Sequence, residues 1–159
     1  MSIADKIVLR EYLPAAIAGL SRPLIFTNGV FDMLHPGHVE YLESARALGG
    51  SLLVAINSDA SARGLGKGAD RPINPQADRA ILLAALESVS LVTFFDERTP
   101  LALLHEVRPD VYVKGGDYDM EALEETRFLR SYGGDAQAIP FRAGYSTTAL
   151  LERIRTSRP

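Results

Sequence analysis

Residues 24–42 read LIFTNGVFDMLHPGHVEYL, and the fold turns on where that stretch changes character. Leu24, Ile25 and Phe26 form a short apolar run after Pro23, long enough for a buried strand, and Thr27-Asn28-Gly29 closes it with turn chemistry. A helix is expected to begin near Pro36, because proline at the first helical position has no amide hydrogen to leave unpaired. Tyr41, Leu42, Ala45 and Leu48 then recur at helical spacing, and Gly49-Gly50 stops the helix. This puts His35 at the N-cap and His38 in the first turn, where free backbone N–H groups and the positive end of the helix dipole converge. Such a strand–loop–helix corner is an anion site, and two imidazoles there suit phosphate chemistry.

Outward from this corner, strands and helices alternate. Residues 9–20 (LREYLPAAIAGL) read as a short helix with Pro14 near its start, serving packing or a subunit contact. Residues 51–56 (SLLVAI) form an apolar strand without polar alternation, as expected where both faces are covered. Residues 60–71 are rich in Gly, Arg and Lys and read as a mobile loop. Asn74-Pro75 opens a helix with an apolar stripe of Ile81, Leu82, Ala85, Leu86 and Val89. A third strand is expected over 91–95, and a helix opened by Thr99-Pro100 and lined by Leu101, Leu104 and Val107 follows. Residues 110–113 give a fourth strand. Asp119 caps a helix through Ser131, 136–139 is a fifth strand, and Ser146 caps a last helix with Leu150, Leu151 and Ile154 turned inward. Five strands alternating with helices predict a doubly wound, Rossmann-like parallel α/β sheet with helices on both faces, in one domain over 1–159. Ligands of such sheets bind outside the carboxyl ends of the strands. The polar clusters fall there: after strands one, two and four, and before the last helix.

The 159 residues suffice for a sizeable core, and 47% hydrophobic content is typical of a globular protein. No apolar run approaches the ~20 residues of a membrane span. The start lacks a signal-peptide core and cysteine is absent, so the expected place is the cytoplasm. A net charge of −3 argues against a nucleic-acid or membrane footprint. No His and carboxylate spacing marks a metal site.

Four further groups carry chemistry. Arg142 offers a fixed cation, and Ser146, Thr147 and Thr148 offer hydroxyls and first-turn amides, a set able to hold a triphosphate tail. Lys67 lies in the glycine-rich loop, with Arg71 and Arg79 as weaker candidates for the same pocket. Lys114-Gly115-Gly116-Asp117-Tyr118 lets backbone approach a ligand closely, and Asp117 can accept from a ribose hydroxyl. Asp32, Asn57 and Asp59, also at strand ends, and Lys114 are candidates for an acceptor's polar groups. His105, near Arg108 on a helix, reads as surface or packing.

The string Gly29-Val30-Phe31-Asp32-Met33-Leu34-His35-Pro36-Gly37-His38 resembles the G-x-F-D-x-x-H-x-G-H signature of the cytidylyltransferase-like branch of the HxGH nucleotidyltransferases. Arg142 to Thr148 resembles the family's second signature, R-x-x-x-[IV]-S-T-T, one residue shorter between Arg and Ser and with Tyr145 in place of the aliphatic residue. TNGVFDMLHPGH, NSDAS, the run from Lys67 to Pro75, VKGGDY and GYSTT are similar to the D-glycero-β-D-manno-heptose 1-phosphate adenylyltransferase group, in its stand-alone form without a kinase half. Val30 stands where that branch often has cysteine.

The resemblance implies transfer of AMP from ATP to a sugar 1-phosphate, with release of pyrophosphate and Mg²⁺ carried on the ATP phosphates. It implies His35, His38, Lys67 and Arg142 as catalytic. Thr27, Asn28, Gly29, Phe31, Gly37, Gly115, Asp117, Ser146, Thr147 and Thr148 would bind nucleotide. A homodimer or higher homo-oligomer is also expected, with Leu9, Leu13 and Ile17 offered by the N-terminal segment. A glycerol-3-phosphate cytidylyltransferase and a nucleotide-binding regulator with a dead site remain the alternatives.

Overall fold

The computed structural model describes residues 1–157. Five parallel strands, β1 (Leu24–Gly29), β2 (Ser51–Asn57), β3 (Leu91–Phe95), β4 (Val111–Gly115) and β5 (Asp135–Ile139), form one sheet in the order β3-β2-β1-β4-β5. The chain steps outward from β1 through β2 to β3, then returns to the other side of β1 to lay down β4 and β5. The order therefore reverses between β1 and β4, and a crevice opens at their carboxyl ends.

Side-chain alternation along the strands splits the core between two faces. Leu24 and Phe26 of β1, with Leu53, Leu91 and Tyr112, pack beneath α1 (Leu13–Ala18), α5 (Leu101–Val107) and α6 (Glu124–Arg130). Ile25, with Leu52, Val54, Ile56, Val92 and Val113, packs against α2 (Pro36–Arg46) and α4 (Gln76–Ala84). The all-buried β2, from Ser51 to Asn57, follows from this double coverage.

Several boundaries differ from the sequence expectation. β1 runs three residues further, to Gly29, because β2 pairs with it along its whole length and the neighbouring hydrogen bonds override the turn chemistry of Thr27-Asn28-Gly29. A one-turn helix, α3 (Asp59–Arg63), replaces the start of the expected loop, with Ser58 Oγ accepting from the Ser61 amide. The helix expected from Asp119 is broken. Asp119 caps a single 3-10 turn, Met120–Ala122, and extended Leu123 separates it from α6.

The buried face of α4 is rotated from the expected stripe. Arg79, Ala80, Leu83 and Ala84 face inward, whereas Ile81 and Leu82 are 49% and 46% exposed. The cause is Arg79, which takes the inward position by donating to three oxygens. Asn74 does not cap this helix. Its Nδ2 donates to the Asp32 carbonyl at 2.6 Å, and Pro75 occupies the N-cap. The last helix, α7 (Thr147–Thr156), buries none of its residues fully, and Ile154 is exposed rather than turned inward.

Leu13 is buried in the protein's own core and does not offer the surface expected for a subunit contact, whereas Ile17 is half-buried against that core. Leu9 is exposed. His105 is exposed and stacks on Phe128, clear of the crevice. Among the described residues, no helix is long and apolar enough to cross a membrane.

Candidate active site

A cavity of about 840 Å³ occupies the crevice at the β1/β4 reversal. Asn28 and Gly29 enter it from the end of β1, Lys114 and Gly115 from the end of β4, and Ser146, Thr147 and Thr148 from the start of α7. His35 and His38 lie between them, placed by the geometry expected of the corner. His35 is the extended N-cap of α2, Pro36 opens the helix, and His38 is its third residue.

The two imidazoles stack with ring centroids 3.9 Å apart. The His35 amide donates to His38 Nδ1 at 3.4 Å, which leaves the His38 proton on Nε2. Burial, reinforced by the charge of His35, pushes the His38 imidazole down to about 4, and burial also lowers His35. Both rings are therefore neutral near pH 7. His35 Nδ1 is buried and has no hydrogen-bond partner among the described residues.

The glycines of the HxGH string have steric causes. A Cβ on Gly37 would stand 3.0 Å from the His35 ring and 3.2 Å from Tyr145 Cβ. A Cβ on Gly29 would stand 2.9 Å from the ring of Phe31, whose backbone is left-handed at φ 50°. That strained turn brings Phe31 within 5.4 Å of His38, while Phe141 meets His38 edge-on at 6.2 Å. The second stretch reaches the first through α7. Ser146 Oγ accepts from the Ala149 amide, Thr147 Oγ1 donates to the Met33 carbonyl at 3.3 Å, and Tyr145 stacks on His35 at 6.0 Å. The first-turn amides of α7, which have no intrahelical acceptor, thus open onto the histidine pair.

Other expected residues sit differently. Thr27 is wholly buried beneath the cavity, where its hydroxyl shares a 2.6 Å hydrogen bond with Tyr41; it supports the floor and does not line it. Asn28 lines the cavity while its Oδ1 accepts from the Tyr112 hydroxyl. Asp32 is 3% exposed, and its carboxylate accepts from Arg71 Nε and from the Ile73 and Asn74 amides. It anchors the far end of the Lys67 loop instead of presenting a free carboxylate to an acceptor. Asp59 pairs with Arg79 and lies outside the lining. Arg79 itself is fully buried, away from any anion pocket. Asp117 borders a separate shallow hollow with Tyr118, Ala138 and Pro140.

Arg142 points out of the cavity lining. It is exposed, donates to Glu40 Oε1 at 2.5 Å, and lies over the Tyr145 ring. Lys67, Asn57 and Lys114 do line the cavity. Lys114 holds its ammonium 4.2 Å above the Tyr118 ring, and burial lowers its pKa.

Arg98, Thr99, Glu125 and Phe141 line the cavity and were not among the expected site residues. Arg98 and Thr99 follow β3, and the rule that ligands meet the carboxyl ends of strands points to them. Glu125 and Phe141 carry no comparable sequence signal. Among the described residues, no cluster of three or more His, Asp or Glu side chains forms a metal site.

Comparison with known proteins sets this geometry in context. Residues 26–153 match the family described as cytidylyltransferase-like. The chain is 59% identical over 153 residues to a D-beta-D-heptose 1-phosphate adenylyltransferase of Bordetella bronchiseptica, covering 95% of this chain and 94% of that one. It is 52% identical over 133 residues to a bifunctional protein HldE of Geotalea uraniireducens, covering 84% of this chain but only 27% of that longer protein. Among solved structures, a lipopolysaccharide core biosynthesis protein of Thermoplasma volcanium superposes with a TM-score of 0.62 at 28% identity, over 75% of this chain and 95% of the other.

Proposed function

The chain belongs to the cytidylyltransferase-like family, and on that premise we propose that it transfers AMP from ATP to D-glycero-β-D-manno-heptose 1-phosphate, giving ADP-heptose and pyrophosphate for lipopolysaccharide core precursor synthesis. The observation that carries this reading is the meeting of the His35–His38 stack and the α7 N-terminus in one crevice, 108 residues apart from His38 to Ser146 in sequence (146 − 38).

In the proposed reaction an oxygen of the sugar phosphate attacks the α-phosphorus of ATP in line. The new P–O bond forms as the bond to the bridging α–β oxygen breaks, and pyrophosphate leaves with that electron pair. The attacking phosphate is already ionised, so no general base is needed. The task left to the protein is positioning and charge stabilisation. Neutral His38 donates from Nε2 to the α-phosphate, where charge moves during transfer, and His35 supports it through the stack. Lys67 and Arg98, both in the cavity lining, supply cations, and the Thr147 and Thr148 amides receive the departing phosphates. The ATP phosphates would carry Mg²⁺, which when bound would neutralise part of their charge. Carboxylates are few in the described lining and Asp32 is saturated, which suits an ion held chiefly by phosphate oxygens and water.

The deciding measurement is steady-state pyrophosphate release with ATP or CTP against heptose 1-phosphate or glycerol 3-phosphate. The expected preference is ATP over CTP and heptose over glycerol phosphate, each by at least ~100-fold in kcat/KM, on the order of 2.7 kcal/mol. Equal activity with CTP and glycerol 3-phosphate overturns the substrate assignment.

We further propose that the protein is at least a homodimer. Leu9 and Tyr12 near the N-terminus and Ile81 and Leu82 on α4 are among the exposed apolar groups that could serve it. Light scattering that finds only a 17.3 kDa species at micromolar concentration refutes this.

A further inference from the structure

The reaction as written leaves one cavity carboxylate without a task. Glu125, the second residue of α6, is 8% exposed and lines the same cavity as the two histidines. Among the described residues its carboxylate takes part in no hydrogen bond or ion pair, yet its oxygens are not sealed in protein: they open onto the cavity. A carboxylate more than nine-tenths buried ordinarily has donors gathered around it. Here the nearby donors are committed elsewhere. The Tyr112 hydroxyl donates to Asn28 Oδ1 at 2.8 Å, and the Lys114 ammonium lies over the Tyr118 ring. The field of Glu125 bears on both groups, but neither is paired with it.

Its surroundings define the ligand chemistry. A free carboxylate repels phosphate, so the group that meets it is not the triphosphate or the attacking phosphate. It is acceptor-only, so it calls for donors. Adjacent hydroxyls of a sugar supply two donors that match the two carboxylate oxygens, and Lys114 beside them donates to the ring or hydroxyl oxygens of the same sugar. We propose that Glu125 is a specificity-determining residue whose carboxylate accepts hydrogen bonds from substrate sugar hydroxyls, either those of the ATP ribose or those of the acceptor. The proposal rests on the adenylyltransferase reading and assigns this residue's part in it.

The test compares wild type, Glu125→Gln and Glu125→Ala in pyrophosphate release, varying ATP and heptose 1-phosphate separately and repeating with 2′-deoxy-ATP and 3′-deoxy-ATP. The expected result is a rise of at least ~10-fold in KM for one sugar-bearing substrate with kcat within about threefold, and a larger rise for Ala than for Gln. If the ribose is the source, the KM for ATP rises, and the deoxynucleotide lacking the contacted hydroxyl binds wild type and variant alike. If the acceptor is the source, the KM for heptose 1-phosphate rises and both deoxynucleotides behave as ATP does in every protein. A residue that merely offsets Lys114 or the α6 dipole shifts the melting midpoint and leaves both KM values in place. That outcome, or no change in any quantity, overturns the proposal. Calorimetric titration of each protein with a non-hydrolysable ATP analogue and with heptose 1-phosphate separates the two levels. An inactive wild type sinks the transferase reading, whereas binding of both ligands unaltered by either substitution sinks the role of Glu125.

Discussion

The imidazole rings of His35 and His38 lie face to face, 3.9 Å between centroids and 25° between planes, at the N-terminus of α2. Two imidazolium ions do not share such a stack beside the positive end of a helix dipole. The arrangement therefore fixes both rings as neutral near pH 7, so His38 acts as a hydrogen-bond donor of defined tautomer and not as a permanent cation.

This neutrality has a stability signature. The folded-state pKa of His38, about 4, lies below the ordinary value of 6.5. Between those values the unfolded chain binds more protons than the folded one, so stability rises with pH across that window. The contribution is complete above pH 6.5 and is lost as pH falls to about 4. His38→Gln removes the titration. Urea unfolding at pH 7.5 and pH 4.5 is expected to show a larger acid loss for wild type than for His38→Gln, by about 2 kcal/mol after allowance for solvent screening of the partly exposed ring. Equal losses refute the buried neutral state.

Turnover tests the same ring directly. His38 lines the cavity and its Nε2 has no hydrogen-bond partner among the described residues, and removal of one such donor from a transferring centre typically costs ~10²–10³ in kcat. His38→Ala is expected to lose at least that much in pyrophosphate release. The ring borders the cavity and fills no core position, so the far-ultraviolet spectrum is expected to be unchanged. His35→Ala is expected to show a similar loss with a modest fall in melting temperature, because the N-cap of α2 is altered as well. A folded His38→Ala protein with wild-type turnover removes the ring from the chemistry.

How much of this was legible in the sequence varies with the physics at each position. The sheet, its five strands and the placing of His35 and His38 followed from apolar runs, Pro36 and the glycine stops, because local propensity and tertiary packing agree there. Positions where a buried polar group overrides the apolar pattern were misread. Arg79 takes an inward position on α4 and leaves Ile81 and Leu82 outward, and Asn74 spends its side chain on Asp32 instead of the helix end. The carboxylates show the same limit. Asp32, Asp59 and Glu125 look alike in sequence, yet the first is saturated by a loop, the second is paired with Arg79, and only the third faces the cavity unpaired. Which of them is free depends on contacts across tens of residues, which no local pattern records.

Arg142 illustrates a contact that competes with function. It is bound to Glu40 on the outer side of the site rather than turned toward the α7 N-terminus. If it is to hold the leaving phosphates, that exposed pair must open first, and exposed pairs hold weakly. Glu40→Gln is expected to lower the KM for ATP by up to about threefold. Arg142→Ala is expected to raise it by ~10-fold, the cost of one charge-assisted contact. Unchanged ATP dependence in both variants shows that Arg142 stays with Glu40 throughout turnover.

Arg79 joins three parts of the chain around the cavity. Its wholly buried guanidinium donates to the Val30 carbonyl at 2.7 Å, the Asn74 carbonyl at 3.0 Å and Asp59 Oδ1 at 2.8 Å. These lie in the loop before the histidines, at the end of the Lys67 loop and at the start of α3. Arg79→Met keeps much of the volume but leaves two carbonyls without that donor and the Asp59 carboxylate without its cation. Breaking a fully buried pair from one side costs roughly 3–5 kcal/mol; Asp59 is 28% exposed, so the loss expected in urea unfolding is at the low end of that range, about 3 kcal/mol. The double variant Arg79→Met/Asp59→Asn removes the stranded charge and is expected to recover part of the loss, because an unpaired carboxylate costs more than an unpaired amide. Arg79→Lys retains the charge but not the three-way fork, so its loss is expected to fall between wild type and Met. A loss under about 1 kcal/mol for Arg79→Met, well below the cost of stranding a buried ion-pair partner, refutes the linking role and leaves the rotation of α4 without its cause.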